Sequence, residues 1–346
     1  MARKEAEQGA KTEELLVSYF LRQGYFVARG LKLRHEEMDV TDVDLWLYKR
    51  SSALIRERLI VDAKDRTRPK AMERILWATG VRRLLGIDRC IVATTDKRPA
   101  VKRFAAQLDV LVLDGEFLAR LENATPESTL RLSHEDFEQR CFPKGDERLV
   151  RDWRGRYEVG RSRLVNQLDF DGCNGWLDDA VFFFDESRVS TTRDVAMRLA
   201  YASMANLLVG LDWMMRDISF EQRDQRHRDL EAGFRFGNRG REGFEELLRV
   251  AEDLIVRFSP DMKGLAATMR NRAHDELTEI PAAALAEVVA KPDVFKELFN
   301  VALELDRAAF GTSPIAPSSL GVTAQAIIGA VLDFGHMPRA EFLGAG

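Results

Sequence analysis

The sequence predicts a mixed α/β domain followed by a mostly helical one. Two observations carry the first part: short apolar runs of strand length, and amphipathic stretches that begin to alternate with them after the third run. A third carries the second part: from Asp194 onward nearly every segment has helical periodicity.

Leu15, Leu16, Tyr19 and Phe20 recur at helical spacing, and Gly24 stands where a helix beginning near Gly9 would end. Strand-like runs follow at Tyr25 to Leu33, Val43 to Tyr48 and Leu59 to Ala63. A helix is expected from Pro69 through Leu85, a strand from Cys90 to Thr94, a helix from about Pro99 to Gln107, and a strand from Val110 to Leu113. The resulting order is αβββαβαβ. Residues 1–122 form this α/β domain, and the polar, weakly periodic residues 123–150 are expected to connect it to a helical domain over 151–346. A few strands are expected around Val181, Phe182, Phe183 and Phe184, with turns at Arg235 to Asn238, Ser259-Pro260 and Thr312 to Ser319. No internal repeat is visible.

The chain has 346 residues, 45% apolar and 31% charged, which describes a soluble globular protein of two ordinary domains. Its opening, MARKEAEQGAKTEE, has no apolar core of the kind a secretory signal needs, so a cytoplasmic location is expected. The most hydrophobic run, Val195 to Met215, carries Arg198, Asn206 and Asp212 and reads as a buried helix, not a membrane span. Cys90, Cys141 and Cys173 are far apart and odd in number, which argues against a disulfide framework or a zinc site. The net charge of −4 conceals an asymmetry: residues 1–121 hold 24 Lys and Arg against 18 Asp and Glu. A basic N-terminal part suits a polyanionic partner, although a solvated surface gives the same mild excess.

The stretch RLIVDAKDR, Arg58 to Arg66, starts as a buried strand and turns into alternating charge. Asp62 and Lys64 are two apart, so they emerge on one face, roughly 7 Å apart along the backbone. Taken alone, such a pair is a salt bridge at a strand end. Asp44, however, lies inside the apolar run VDLWLY, where an acid must be paired or must coordinate something. If the two strands are neighbours, Asp44 and Asp62 lie side by side and repel, and a divalent cation would relieve them. Two carboxylates, waters and a substrate phosphate suit Mg²⁺, with Mn²⁺ as a substitute, and Lys64 would offer positive charge to the phosphate. Glu13 shares a helix face with Leu16, Val17 and Phe20 and so points toward the core, where it wants a partner. An acid in the first helical turn is also favoured by the helix dipole alone.

Gly9-xxx-Glu13, Gly24-Tyr25-x-Val27, Asp44 in an apolar strand and Asp62-x-Lys64 together resemble the PD-(D/E)xK nuclease superfamily, most closely its Mrr-type restriction and archaeal Holliday-junction-resolvase branches. The resemblance covers residues 9 to about 115. It implies a restriction-endonuclease-like mixed sheet with flanking helices. It also implies a metal held by Asp44 and Asp62, a water positioned or activated by Lys64, and Glu13 as the helix acid of some branches. Val43 stands where the motif has proline, and Asp62 where Glu is more frequent.

Basic residues gather beyond the motif, among them Arg66, Arg68, Lys70 and Arg74, then Lys102 and Arg103, at positions suited to a phosphate backbone. A solvated charged face is the alternative reading of each. The expected activity is Mg²⁺-dependent hydrolysis of nucleic acid, DNA in the first place, in a restriction or phage-defence role that the resemblance suggests. The helical region would select the target or hold a protein partner, and a homodimer would serve to cut both strands of a duplex. Two alternatives stand beside this: a non-catalytic nucleic-acid-binding module on the same fold, and a ribonuclease in the second half. The latter rests on Arg270-Asn271-Arg272-Ala273-His274, which is similar to the R-N-x-x-x-H motif of HEPN ribonucleases with one residue too few. No phosphate-binding GKS/T loop or GxGxxG occurs, and no membrane partner is expected.

Overall fold

The β-like runs come together as one five-stranded sheet in the order β1 (Phe26–His35), β2 (Met38–Arg50), β3 (Arg56–Lys64), β4 (Arg89–Thr94) and β5 (Val110–Leu113). The structure is a computed structural model that describes residues 2–36, 38–64, 70–124, 130–143, 152–189, 191–258 and 263–344, with residues 2–8, 64, 124 and 263 described by backbone alone. The first three strands form an antiparallel meander, and β3, β4 and β5 run parallel. Parallel neighbours need crossovers, and the chain supplies α2 (Ala71–Leu85) and α3 (Pro99–Gln107). The expected order αβββαβαβ is the observed one. The sheet is mixed and the remainder of the chain is mostly helical.

Contacts divide the chain into two compact units, one of residues 1–168 with 306–314 and the other of residues 169–305 with 315–346. In the first unit, α1 (Ala2–Arg22) and α4 (Gly115–Ala124) cover one face of the sheet. Leu16, Val17 and Phe20 of α1 pack there on Leu45, Leu47 and Val61, all nearly fully buried. Period-two alternation therefore turns the even-numbered residues of β2 and β3 to the other face, on the side of α2. Asp114 caps α4, its Oδ1 accepting from the Phe117 N–H at 2.9 Å.

The sheet edge at β1 is sealed from within the same unit. The side chain of Asn166, in α6 (Trp153–Asn166), accepts from the Arg34 N–H and donates to the Lys32 carbonyl, each at 2.9 Å, and Arg161 donates to the Arg29 carbonyl. These are backbone groups that an edge strand would otherwise leave open. In consequence the boundary expected over 123–150 differs from the observed division. The helices α5 (His134–Cys141) and α6 belong with the sheet, as does the short stretch around Asp306, whose carboxylate pairs with Arg131 at 2.7 Å. Polar composition alone hides this, because the attachment runs through side-chain bonds to a strand edge.

The second unit is helical: α7 (Phe170–Glu186), α8 (Arg193–Met214), α9 (Arg223–Phe236), α10 (Gly240–Phe258), α11 (Lys263–Glu279), α12 (Ala282–Ala290), most of α13 (Pro292–Phe310), α14 (Val322–Phe334) and the short α15 (Ala340–Leu343). The hydrophobic run is α8, buried on all sides as a central helix is. No helix among the described residues is long and apolar enough to cross a membrane. The strands expected around Val181 to Phe184 are instead the end of α7. Its buried residues, Cys173, Trp176, Leu177, Ala180, Phe183 and Phe184, follow helical spacing over the whole segment, a period that the short apolar run conceals. The expected turn after Arg235 is a 3-10 turn at Gly237–Arg239, and that at Ser259-Pro260 lies outside the described residues. All three cysteines are buried and carry no disulfide.

The junction between β4 and α4 is tight. A Cβ on Gly115 would lie 2.5 Å from the Thr95 carbonyl oxygen, a backbone atom that cannot swing aside. Gly115→Ala is expected to lower the unfolding free energy by about 1–3 kcal/mol, measured by urea titration.

Candidate active site

The register Leu45↔Val61 places Asp44 opposite Asp62 when it is continued by one residue, and both side chains turn toward the α2 side of the sheet. Directly opposed residues have Cβ atoms about 5 Å apart. The Oδ2 of Asp44 accepts from the Ala63 N–H at 2.8 Å, which fixes this carboxylate beside Asp62. Asp62 itself is only 1% exposed. An ionised carboxylate at that depth requires a cation, and one is present: Arg74 of α2 donates from Nε to Asp62 Oδ2 at 2.7 Å, and its Nη2 approaches Oδ1. The guanidinium also feels the charge of Asp44 and lies 4.3 Å over the Trp77 ring. Burial lowers the Arg74 pKa, and Asp44 opposes that shift.

Gly30 on β1 stands across from Asp44, between the register pairs Arg29↔Leu45 and Leu31↔Val43. It has φ +64°, and nothing lies within 4 Å of where its Cβ would be. The β1 position facing Asp44 thus carries no side chain. Lys64 ends β3 two residues beyond Asp62, with its Cα opposite Thr94 of β4, and its side chain lies outside the described part of the structure. Asp62, Lys64 and Thr94 thus mark the C-terminal ends of two parallel strands, where open α/β sheets bind ligands. Side by side, two carboxylates match the hard oxygen donors that Mg²⁺ prefers, and Mg²⁺ completes its shell with water. Among the described residues no set of three or more His, Cys, Asp or Glu is arranged to hold a metal. Any such ion would rest on this pair and would displace Arg74 from Asp62.

Glu13 is differently engaged. Its Oε2 accepts from Arg29 Nε at 2.8 Å, and the same guanidinium meets Glu14 at 3.2 Å and Glu135 of α5 at 2.8 Å. Arg29 is a β1 residue of the face that α1 covers, the one opposite Asp44 and Asp62. Burial pulls the Arg29 pKa down, but Glu13, Glu135 and Glu14 outweigh it and the net shift is upward. Burial raises the Glu14 pKa, against the attraction of Arg29. The core-facing glutamate thus has the partner its position demands, and that partner is a buried arginine.

Of the basic residues, Arg66 and Arg68 lie outside the described residues. Lys70 is exposed and pairs with Glu73 at 3.0 Å, Lys102 pairs with Asp114, and Arg103 is exposed. Arg98 grips the buried Asp96 with two nitrogens, at 2.6 and 3.0 Å, and holds its carboxyl below the usual range. Arg74 is legible in the sequence as one basic residue among several; its place against the acid pair is not, because periodicity does not say how α2 packs on β3. In α11, Arg270 and His274 do share a face, but it is turned to α10. There Arg270 pairs with Glu252 at 2.8 Å and Glu245 at 3.0 Å, and His274 lies 3.4 Å from Glu245. Comparison of the chain with family models, with curated proteins and with solved structures gives no match.

Replacing Arg74 with Met leaves Asp62 buried beside Asp44 without its cation. Stability in a metal-free buffer is expected to fall by about 3–5 kcal/mol, with part of the loss recovered on adding Mg²⁺ and no such recovery in the Arg74→Met, Asp62→Asn double variant. The hydrogen bond from Lys102 depresses the Asp114 pKa, so the stability from that pair is complete above the unfolded value of about 3.9 and is lost as pH falls through the folded one. Asp114→Asn, which keeps the helix cap, is expected to cost no more than about 1 kcal/mol at pH 7 and nothing at the acid end, read from urea midpoints across pH.

Proposed function

We propose that the sheet unit is a metal-dependent nuclease that hydrolyses phosphodiester bonds, with DNA as substrate. The observation that carries this reading is the placement of two acids side by side on adjacent strands, one of them 1% exposed, two residues before a lysine at the end of the central strand. A protein that needed only stability at this point would do as well with apolar residues. Asp44 and Asp62 supply the oxygen donors, and Lys64 supplies an ammonium to the phosphate at the mouth of the sheet. When bound, Mg²⁺ supplies Lewis acidity and neutralises charge on the phosphate. Arg74, once released from Asp62, keeps its positive charge within reach of the same face and offers a further contact to a phosphate oxygen. Glu13 belongs in this reading to the Arg29 cluster and takes no part in the chemistry.

The Arg74 pair also favours a second reading, in which the guanidinium is the permanent partner of Asp62 and the unit binds nucleic acid without cleaving it. The two are separated by calorimetry and by cleavage. A nuclease binds Mn²⁺ or Mg²⁺ through Asp44 and Asp62 and nicks supercoiled plasmid in Mg²⁺, with nicking reduced at least about 100-fold by Asp62→Asn and by Lys64→Ala. A binding module retards DNA on a gel, takes up no divalent ion at this pair and leaves the plasmid intact. Nicking that survives both substitutions removes these residues from the assignment.

A further inference from the structure

The helix α10 has 19 residues and none of them is buried. Along it Leu247, Val250, Leu254 and Phe258 are 51%, 50%, 50% and 75% exposed. Their spacing of i, i+3, i+7 and i+11 puts them on one stripe, within about 80° of arc at 100° per residue. The inward arc is used already: Phe244, Leu248, Ala251 and Ile255 are half-buried, while Glu245 and Glu252 bind Arg270 of α11. At the same end of this helical hairpin, Leu265 and Met269 of α11 are also exposed, 47% and 51%. Single exposed apolar residues need no explanation, but a continuous stripe over three turns of a helix marks an interaction surface.

We infer that this stripe is the contact by which the protein pairs with a second copy of itself, α10 against α10 in antiparallel orientation about a two-fold axis near residues 251 and 252. Charge selects that occupant and that direction. Glu246 and Arg257 flank the stripe on the same side, eleven residues apart and equidistant from the axis. In an antiparallel pair, like flanks face one another, so Glu246 of each copy meets Arg257 of the other, twice by symmetry. In a parallel pair the two are separated by about 16 Å along the axis. Asp253, on the same flank, lies one helical turn from both Arg249 and Arg257 of its own helix. The apolar residues interdigitate in the same register. Leu247 falls between Leu254 and Phe258 of the other copy, and Val250 lies beside the axis against its own counterpart and Leu254. A helix of this length is about 28 Å long. The stripe itself, Leu247 to Phe258, covers about 16 Å of that length. The inference is independent of the nuclease reading.

The test uses the full chain in sedimentation equilibrium, with far-UV circular dichroism as a control that each variant is folded. The wild type is expected to be a dimer at micromolar concentration. Leu254→Glu, at a position exposed in the single chain, is expected to weaken association by more than about 100-fold. Glu246→Arg and Arg257→Glu are each expected to weaken it by about three- to ten-fold, and the double reversal to restore it to within about two-fold. A wild type that stays monomeric at 50-fold higher concentration, on the order of 100 μM, overturns the inference, because the stripe then serves another partner. A dimer indifferent to Leu254→Glu, or a double reversal weaker than either single change, overturns it as well.

Discussion

Two carboxylates cannot stay ionised side by side at the end of a buried strand without a positive charge to share, and this constraint organises the first unit. Asp44 and Asp62 are brought together by nothing more unusual than strand pairing and alternation. Electrostatics then dictates their surroundings. Arg74 must reach across from α2, its guanidinium is held against Trp77, and a backbone N–H is committed to Asp44. The face of the sheet that carries this arrangement is the one free of α1, and Gly30 places no side chain across from Asp44.

The opposite face solves a related problem with the signs exchanged. There a buried arginine, Arg29, is surrounded by Glu13, Glu14 and Glu135, from α1 and α5. One cation with several acids makes a satisfied cluster that joins helices to a strand, and it explains why a glutamate faces the core of α1. On the other face Asp62 is buried and held by Arg74, with Asp44 beside it. The two clusters consist of the same residue types; what sets the Asp62 cluster apart is its place at the C-terminal ends of two parallel strands, where open α/β sheets bind ligands.

In the second unit the balance lies with apolar burial. The central helix α8 is enclosed throughout, whereas α10 contributes no buried residue of its own. A helix of that length is marginal in water without a packed face. Its inner arc is held by Phe244, Leu248 and the acids that bind Arg270, leaving its outer stripe to whatever the chain meets in solution.

Much of this was legible in the residues. Strand runs at Val43 to Tyr48 and Leu59 to Ala63, and the helix Pro99–Gln107, are local patterns of period two or 3.6, and periodicity survives without knowledge of the fold. The proximity of Asp44 to Asp62 was legible for the same reason, since adjoining β-segments pair in a register that their apolar faces dictate. Contacts between segments distant in the chain were not. The chain alone could say that Glu13 needs a partner and that Arg74 is a cation, but not that the partner is Arg29 or that the cation belongs to Asp62. It marked 123–150 as polar, and only assembly showed α5 and α6 seated with the sheet, because Asn166 and Arg161 seek backbone groups on an edge that exists once the strands have paired. Periodicity is written residue by residue; the pairing of charges depends on how loops direct the elements that carry them, and that is decided by packing in three dimensions.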